Sequence, residues 1–227
     1  MKPGLQRRMS LRGEPMFRMK IEQAGFSSGD VERVAQILAS GGVGIIPTDT
    51  VYGLAALAAH DGAVRRMLEI KGRPAGKPPP VQISNVADAD RLTFAGEPDA
   101  VALMEKFWPG PLTLVLRRRE GIDLPFQEGE SLGLRMPDND FCLRLIDAAG
   151  FLAVPSANRS GEPPPASAEE VAREIVGLAD FIVDGGVCGG GVESTVVDLT
   201  GELQVLREGA VTREEIERAL GISGGSV

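Results

Sequence analysis

Residues 41–58 read GGVGIIPTDTVYGLAALA, and this stretch restricts the possible folds more than any other in the chain. Val43, Ile45 and Ile46 are β-branched, glycines precede them and Pro47 follows, so the spacing predicts a short buried strand and argues against a helix. Thr48, Asp49 and Thr50 then fall where that strand ends. In open α/β sheets, loops and helix N-termini converge just beyond strand ends. A hydroxyl cluster there reads either as the floor of a ligand site or as a set of caps for the next element, and the segment alone leaves both open.

The rest of the chain alternates between helical and strand periods. Val31, Val34, Ala35 and Leu38 predict an amphipathic helix over 30–40 that stops at Gly41, and Val64, Met67 and Leu68 mark a second one ended by Gly72 and Pro74. Further helices are expected at 86–92, 98–107 and 141–149, and strands at 81–84, 112–116, 131–137, 181–183, 196–199 and 203–206. Ser167 with Glu170 forms a capping box expected to open a helix that runs to about Val176, and Thr212 with Glu215 caps a C-terminal one. The stretch LAVPSANRSGEPPP repeats the opening arrangement, with an apolar strand, a proline and then Ser156, Asn158 and Ser160. No repeat or low-complexity tract interrupts the pattern. The expectation is one α/β (α+β) domain over 21–227, a twisted mixed sheet flanked by helices with an open pocket at the strand ends. Residues 1–20 are expected to form a flexible basic tail.

Composition narrows the function classes. The chain has 227 residues, 43% of them hydrophobic and 25% charged, which suits a globular domain with a full core. Cys142 and Cys188 are the two cysteines and have no His partners nearby in sequence, so neither a disulfide framework nor a zinc site is expected, and a reducing cytoplasm is the default location. No apolar stretch approaches the length that spans a bilayer, and the N-terminus lacks the apolar run of a signal peptide. Residues 1–20 carry six Lys or Arg against one Glu, which leaves 18 basic and 31 acidic groups in the remaining 207, a net of −13. A body of that charge argues against broad sequence-independent nucleic-acid binding, which depends on a basic face.

Several chemistries are absent. His60 is the single histidine, no GxSxG accompanies it, and a lone His in a loop reads as a solvated surface residue. Neither a GxxxxGK[ST] loop nor a strand-linked GxGxxG occurs, and GGVCGGG at 185–191 reads as a loop. Cations and hydroxyls are present instead, each near a predicted strand end: Lys71, Arg73, Lys77, Arg135 and Arg207, with Thr48, Ser156, Asn158, Ser194 and Thr195. Singly, each suits a solvated charge or a turn cap. Together, several fixed cations with few general bases suit a polyanionic substrate such as a nucleoside triphosphate, where positioning and charge stabilisation supply most of the catalysis.

The strings PTDTVYGL, KGRP with Lys77 and Pro78, WPGPLTLVL, LRMP, PSANRSG, ESTVVDL and VLREG occur in that order. Over about residues 25–220 the chain thereby resembles the YrdC-like threonylcarbamoyl-AMP synthases, in their short single-domain form. The resemblance implies a YrdC/RibB-like fold and a nucleotidyltransferase that converts L-threonine, bicarbonate or CO2 and ATP, with Mg²⁺, into threonylcarbamoyl-AMP and pyrophosphate. A separate transferase complex would then modify tRNA to N6-threonylcarbamoyladenosine, a weak direct tRNA contact being left open. It implies threonine contacts from Thr48, Gln82, Arg135, Val154 and Ser194, and ATP contacts from Lys71, Arg73, Ser131, Ser156, Asn158, Pro164 and Arg207. Lys71 and Arg73 would neutralise charge developing on the phosphates. Asp49 and Thr50 fall back to structural roles, Tyr52 to bracing the turn, and no protein metal cage is expected. Gln82 stands where the family commonly has a histidine, and Gln keeps a hydrogen bond but does not titrate. Two rival readings are a carbamoyl-adenylate-forming maturation enzyme, whose Cys-rich zinc motifs two isolated cysteines cannot supply, and a non-catalytic RNA-binding or ribosome-assembly module, which the acidic body disfavours.

Overall fold

The structure, a computed structural model, describes residues 16–21, 25–72, 78–124, 126 and 129–222. In chain order its elements are β1 (Phe17–Lys20), α1 (Ser28–Ala39), β2 (Val43–Ile46), β3 (Gly53–Leu57), α2 (Asp61–Lys71), β4 (Val81–Gln82), α3 (Val86–Leu92), α4 (Pro98–Phe107) and β5 (Leu112–Arg117). There follow β6 (Ser131–Arg135), α5 (Asp140–Ala149), β7 (Leu152–Ala153), α6 (Arg173–Leu178), β8 (Phe181–Asp184), β9 (Thr195–Asp198), β10 (Gln204–Arg207) and α7 (Arg213–Ala219).

The strands form one mixed sheet in the order β1-β8-β2-β3-β7-β4-β6-β5-β9-β10. The expected strand at 43–46 lies inside it with every residue buried, hydrogen-bonded to β3 on one side and parallel to β8 on the other. Gly44 has a specific reason to be glycine: a Cβ there would lie 2.2 Å from the ring of Phe181, which fills the space above it. β1 corrects the expected tail. Phe17–Lys20 pairs in parallel with β8, residue for residue, because Phe17 and Met19 alternate with Arg18 and Lys20 and bring Met19 into the core. A count of basic residues hides that alternation; residues 1–15 lie outside the described residues.

The helices divide the sheet into two unlike halves. Around β2, β3 and β8, Val34 and Leu38 of α1 and Leu145 and Ile146 of α5 pack with Ile46, Ala55 and Phe181 in one buried cluster. Val64, Met67 and Ile70 of α2 and Ile175 of α6 pack with Ile45, Leu54 and Ile182 in another. Because neighbouring residues on β2, β3 and β8 point to opposite faces, these two clusters cover both sides of that half. Around β4, β6, β5 and β9 the third cluster takes alternate residues: Val81, Leu112, Leu114, Leu116, Leu132, Leu134 and Val197, against Leu103 of α4 and Ile216 of α7. The residues between them face the other way. No helix among the described residues is long and apolar enough to cross a membrane.

Two local expectations change. Ser167 does accept from the Glu170 N–H at 3.3 Å, but the Glu170 carboxylate turns to Ala166 N at 2.7 Å and the segment stays in turns, so α6 begins only at Arg173. His60 is not a free surface residue: it is the N-cap of α2, half-buried, its Nδ1 accepting from Ala63 N at 3.2 Å. The remaining predicted helices and strands are present within a few residues of their expected bounds.

The contact at Gly44 can be measured. Gly44→Ala should destabilise the protein by about 1–3 kcal/mol in urea unfolding, since the methyl must displace a packed ring. An unfolding free energy equal to that of the unmutated chain would show that the Phe181 ring has room to move.

Candidate active site

The uncovered face of the β4-β6-β5-β9 half forms the floor of a cavity of about 570 Å³. Its floor residues are the ones that alternate with the core: Gln82 on β4, Thr113 and Val115 on β5, Ser131, Gly133 and Arg135 on β6, and Val196 and Asp198 on β9. Period two therefore places Leu side chains on one side and polar or small side chains on the other. The cavity reaches the strand ends at Gln82 and Arg135 and extends across the sheet face; its walls are Thr50 and Val51, Val154 and Pro155, and Glu193, Ser194 and Arg207. A second cavity of about 430 Å³ lies by Phe94, Leu116, Leu199 and Leu203 and contains none of the expected residues.

Of the residues implied for threonine and ATP, Gln82, Ser131, Arg135, Val154, Ser194 and Arg207 line the main cavity. Arg73 lies outside the described residues, as does Lys77. Thr48 does not line it. The Thr48 hydroxyl donates to Val51 O at 2.6 Å and accepts from the N–H groups of Thr50 and Val51, closing the turn after β2. Thr50, read as structural from sequence, is the hydroxyl that reaches the cavity wall, where its Oγ1 accepts from Arg135 Nη1 at 2.9 Å.

Arg135 is almost fully buried, and each of its three nitrogens serves a protein acceptor. Nε donates to Gly110 O at 3.0 Å, Nη1 to Thr50, and Nη2 to the Asp49 carboxylate. The two-pronged end of the guanidinium is thus divided between Thr50 and Asp49, and a substrate carboxylate would meet only its remaining N–H groups. Asp49, expected to be structural, is the counter-ion of this residue. Gln82, its neighbour in register on β4, is 2% exposed, and its Oε1 has no hydrogen-bond partner among the described residues. A buried acceptor left unpaired is costly unless a ligand supplies the donor.

Lys71, Ser156 and Asn158 form a second group just beyond the Pro155 wall. Lys71 is the last residue of α2 and 4% exposed; its Nζ donates to Ser156 O and Oγ at 2.8 and 3.1 Å and to Asn158 O and Oδ1 at 3.1 and 2.9 Å. Four oxygens offset the desolvation of the buried ammonium and fix the loop that follows β7. Ser160 N donates to Lys71 O at 2.9 Å, and the Asn158 amide donates to Glu162 O, so helix end and loop form one unit. Pro164 belongs to the same loop, half-buried and off the cavity lining.

The glycine-rich stretch 185–191 is held against the site by Tyr52, whose phenol donates to Gly186 O at 2.7 Å and accepts from Gly185 N at 2.9 Å. Gly191 N also donates to Thr50 O at 3.0 Å. On the far wall Ser194 Oγ lies 2.9 Å from Thr113 Oγ1, and Arg207 donates to Ser194 O and to the Glu193 carboxylate. Sequence reading passed over Glu193 and Asp198, both of which line the cavity; the period-two pattern of 194, 196 and 198 was the signal that could have found Asp198. No cluster of three or more metal-binding side chains exists among the described residues.

The phenol yields a pH test. Burial pushes Tyr52 up to about 12 from an ordinary value near 10. The unfolded chain therefore ionises first, so stability should hold below about pH 10 and fall as pH rises toward about 12. Tyr52→Phe should lack that component, while losing about 1–3 kcal/mol at neutral pH through the two unpaired backbone groups. Urea unfolding of both proteins between pH 8 and 11 checks this, and parallel curves would exclude it.

The family described as telomere recombination, comprising Sua5, YciO and YrdC, matches residues 36–209. A threonylcarbamoyl-AMP synthase of Bacillus subtilis is 41% identical over 195 residues, covering 84% of this chain and 56% of the relative. One of Pyrococcus abyssi is 43% identical over 178 residues, covering 77% and 52%. The chain thus spans about half the length of these curated relatives. The crystal structure of P. abyssi Sua5 complexed with L-threonine superposes with a TM-score of 0.82 at 37% identity, covering 90% of this chain and 60% of that one. The chain belongs to the Sua5/YciO/YrdC family.

Proposed function

We propose that this protein is an L-threonylcarbamoyladenylate synthase, forming threonylcarbamoyl-AMP and pyrophosphate from L-threonine, bicarbonate or CO2, and MgATP. The observation that carries the reading is the single cavity that gathers Gln82, Ser131, Arg135, Val154, Ser194 and Arg207 on a fold shared with a Sua5 protein solved with L-threonine. The chemistry needs little from the protein as base. The free amine of threonine adds to CO2 to give a carbamate, and a proton leaves to solvent. The carbamate oxygen attacks the α-phosphorus in line, and the bond to the β-phosphate oxygen breaks to release pyrophosphate.

The chain's own residues supply placement. The threonine end is assigned to the Arg135 side, where the remaining guanidinium N–H groups face the carboxylate and Gln82 Oε1 accepts from an N–H or O–H of the substrate. Val154 packs on its methyl. Thr48 acts there through its turn, which sets Thr50 and Asp49 against Arg135. ATP is assigned to the Arg207 side and to the loop carrying Ser156, Asn158 and Pro164, with Ser131 on the floor between. Lys71 positions that loop from behind, and Arg73 is assigned to the phosphates on the family resemblance. Magnesium enters as part of MgATP, held mainly by phosphate and water. The product would pass to a separate transferase complex acting on tRNA. A cytoplasmic site suits ATP and tRNA, and the two free buried cysteines accord with it.

Pyrophosphate release should require threonine, bicarbonate and MgATP together; release indifferent to threonine would rule the reading out. The floor offers a second test. A Cβ at Gly133 would meet nothing nearer than 3.7 Å, so the fold accepts a side chain there, but a longer one projects into the cavity. Gly133→Leu should keep its far-ultraviolet circular dichroism and cooperative unfolding while kcat/KM falls by about 100-fold. Full activity in that variant would show that catalysis happens elsewhere.

A further inference from the structure

Two guanidinium–carboxylate pairs border the cavity, and water reaches them very differently. The side chains of Arg135 and Asp49 are 6% and 13% exposed, whereas those of Arg207 and Glu193, paired at 2.8 Å, are 42% and 29% exposed. Releasing Asp49 would strand a carboxylate away from water, which desolvation makes costly. Releasing Glu193 would return it to solvent, where an ion pair of this kind is weak and its loss is cheap. The first pair is therefore permanent and the second exchangeable.

The other contacts of Arg207 hold the guanidinium while Glu193 leaves. Nε and Nη2 donate to Ser194 O at 3.1 and 2.8 Å, and Nη2 also lies 3.3 Å from Ser194 Oγ. That backbone is fixed from two sides: Ala210 N donates to Glu193 O at 3.1 Å, and Thr195 N to Pro111 O at 3.0 Å. Gly209 packs so closely that a Cβ on it would lie 2.1 Å from Glu193 O. Only the Glu193 carboxylate can move off without disturbing the strand. A phosphate oxygen offers Nη1 the same charged acceptor that the carboxylate does.

Charge sharpens the point. Among the described residues the cavity lining carries Arg135 and Arg207 against Glu193 and Asp198, and Arg135 already has Asp49 behind it. Such a lining draws a polyanion weakly until Glu193 gives up its partner. Resting on the assignment of ATP to the Arg207 side, we propose that Glu193 is an internal counter-ion that a substrate phosphate displaces from Arg207, so that Glu193 sets how tightly the site takes a nucleoside triphosphate. It is a positioning residue: it acts through Arg207 and holds the guanidinium oriented toward the cavity between turnovers.

The test is calorimetric titration of MgATP, and separately of inorganic pyrophosphate, into the unmutated protein, Glu193→Gln, Arg207→Ala, the double variant and Asp198→Asn. Glu193→Gln should bind both ligands about two- to five-fold more tightly, matching the worth of an exposed ion pair. Its KM for ATP should fall by the same factor with the KM for threonine unmoved. In the Arg207→Ala background the Glu193→Gln change should have no effect, and Asp198→Asn, which removes a lining charge without touching Arg207, should tighten binding less. Unchanged or weakened binding in Glu193→Gln, a gain that persists without Arg207, or an equal gain in Asp198→Asn would overturn the proposal while leaving the synthase reading intact. Failure of the unmutated protein to bind either ligand would instead remove the nucleotide assignment on which it rests.

Discussion

The buried guanidinium of Arg135 ties the turn after β2 to the end of β6, two places that lie apart in the sheet. It sits at the end of β6, yet its partners are Asp49 and Thr50 in the turn after β2 and Gly110 in the turn before β5. In the sheet order three strands, β3, β7 and β4, lie between β2 and β6. Side-chain hydrogen bonds therefore span a distance that no single ladder covers, and they fix the turn carrying Thr48 to Val51 relative to the cavity floor. A buried ion pair adds little net stability, because desolvation offsets most of the attraction. Its contribution here is geometric: it fixes the turn after β2 and the turn before β5 against the end of β6.

The same economy appears in the strands. On β5 and β6 one residue in two is a Leu facing α4 and α7, as Val197 is on β9, and the cavity face of the three strands carries Thr, Ser, Gly, Val, Arg or Asp. The half of the sheet around β2, β3 and β8 has helices against both faces and reads as continuous apolar sequence, as buried strands do. One half thus carries a core on each side, and the other leaves a face to the cavity. The electrostatics follow. In a chain of net charge −8, Lys71 and Arg207 are held beside the cavity by backbone carbonyls, with Glu193 as the carboxylate partner of Arg207.

Reading the sequence placed most helices and strands correctly because their periodicities and caps are local properties. The two exceptions differ in cause, one local and one tertiary. At Ser167 the box residues are right, but Glu170 finds Ala166 N in place of the cap's own N–H, and the prolines at 163–165 hold the entry in an extended path. Phe17–Lys20 looked like tail because the alternation of Phe17 and Met19 with Arg18 and Lys20 runs for only four residues, and the pairing with β8 makes it a strand. Within the site, Thr48 and Thr50 cannot be told apart from a string of hydroxyls. Which of the two closes the turn and which reaches the wall depends on where Arg135 arrives from, 85 residues away from Thr50.

What the sequence determined by itself was the set of elements, the family, and the chemical types on offer: hydroxyls, an amide and cations after apolar strands, with no histidine triad and no phosphate-binding loop. Those follow from short-range sterics, hydrophobic period and residue identity. What only the tertiary structure decided was which of those groups share a space and which already have partners. β5 lies between β6 and β9, and β4 between β7 and β6, so Gln82, Thr113, Arg135 and Asp198 meet on one face although long stretches of chain separate them. The opening stretch supplied a turn and one wall; the floor was assembled by strand pairing out of chain order, and no local signal carries that information.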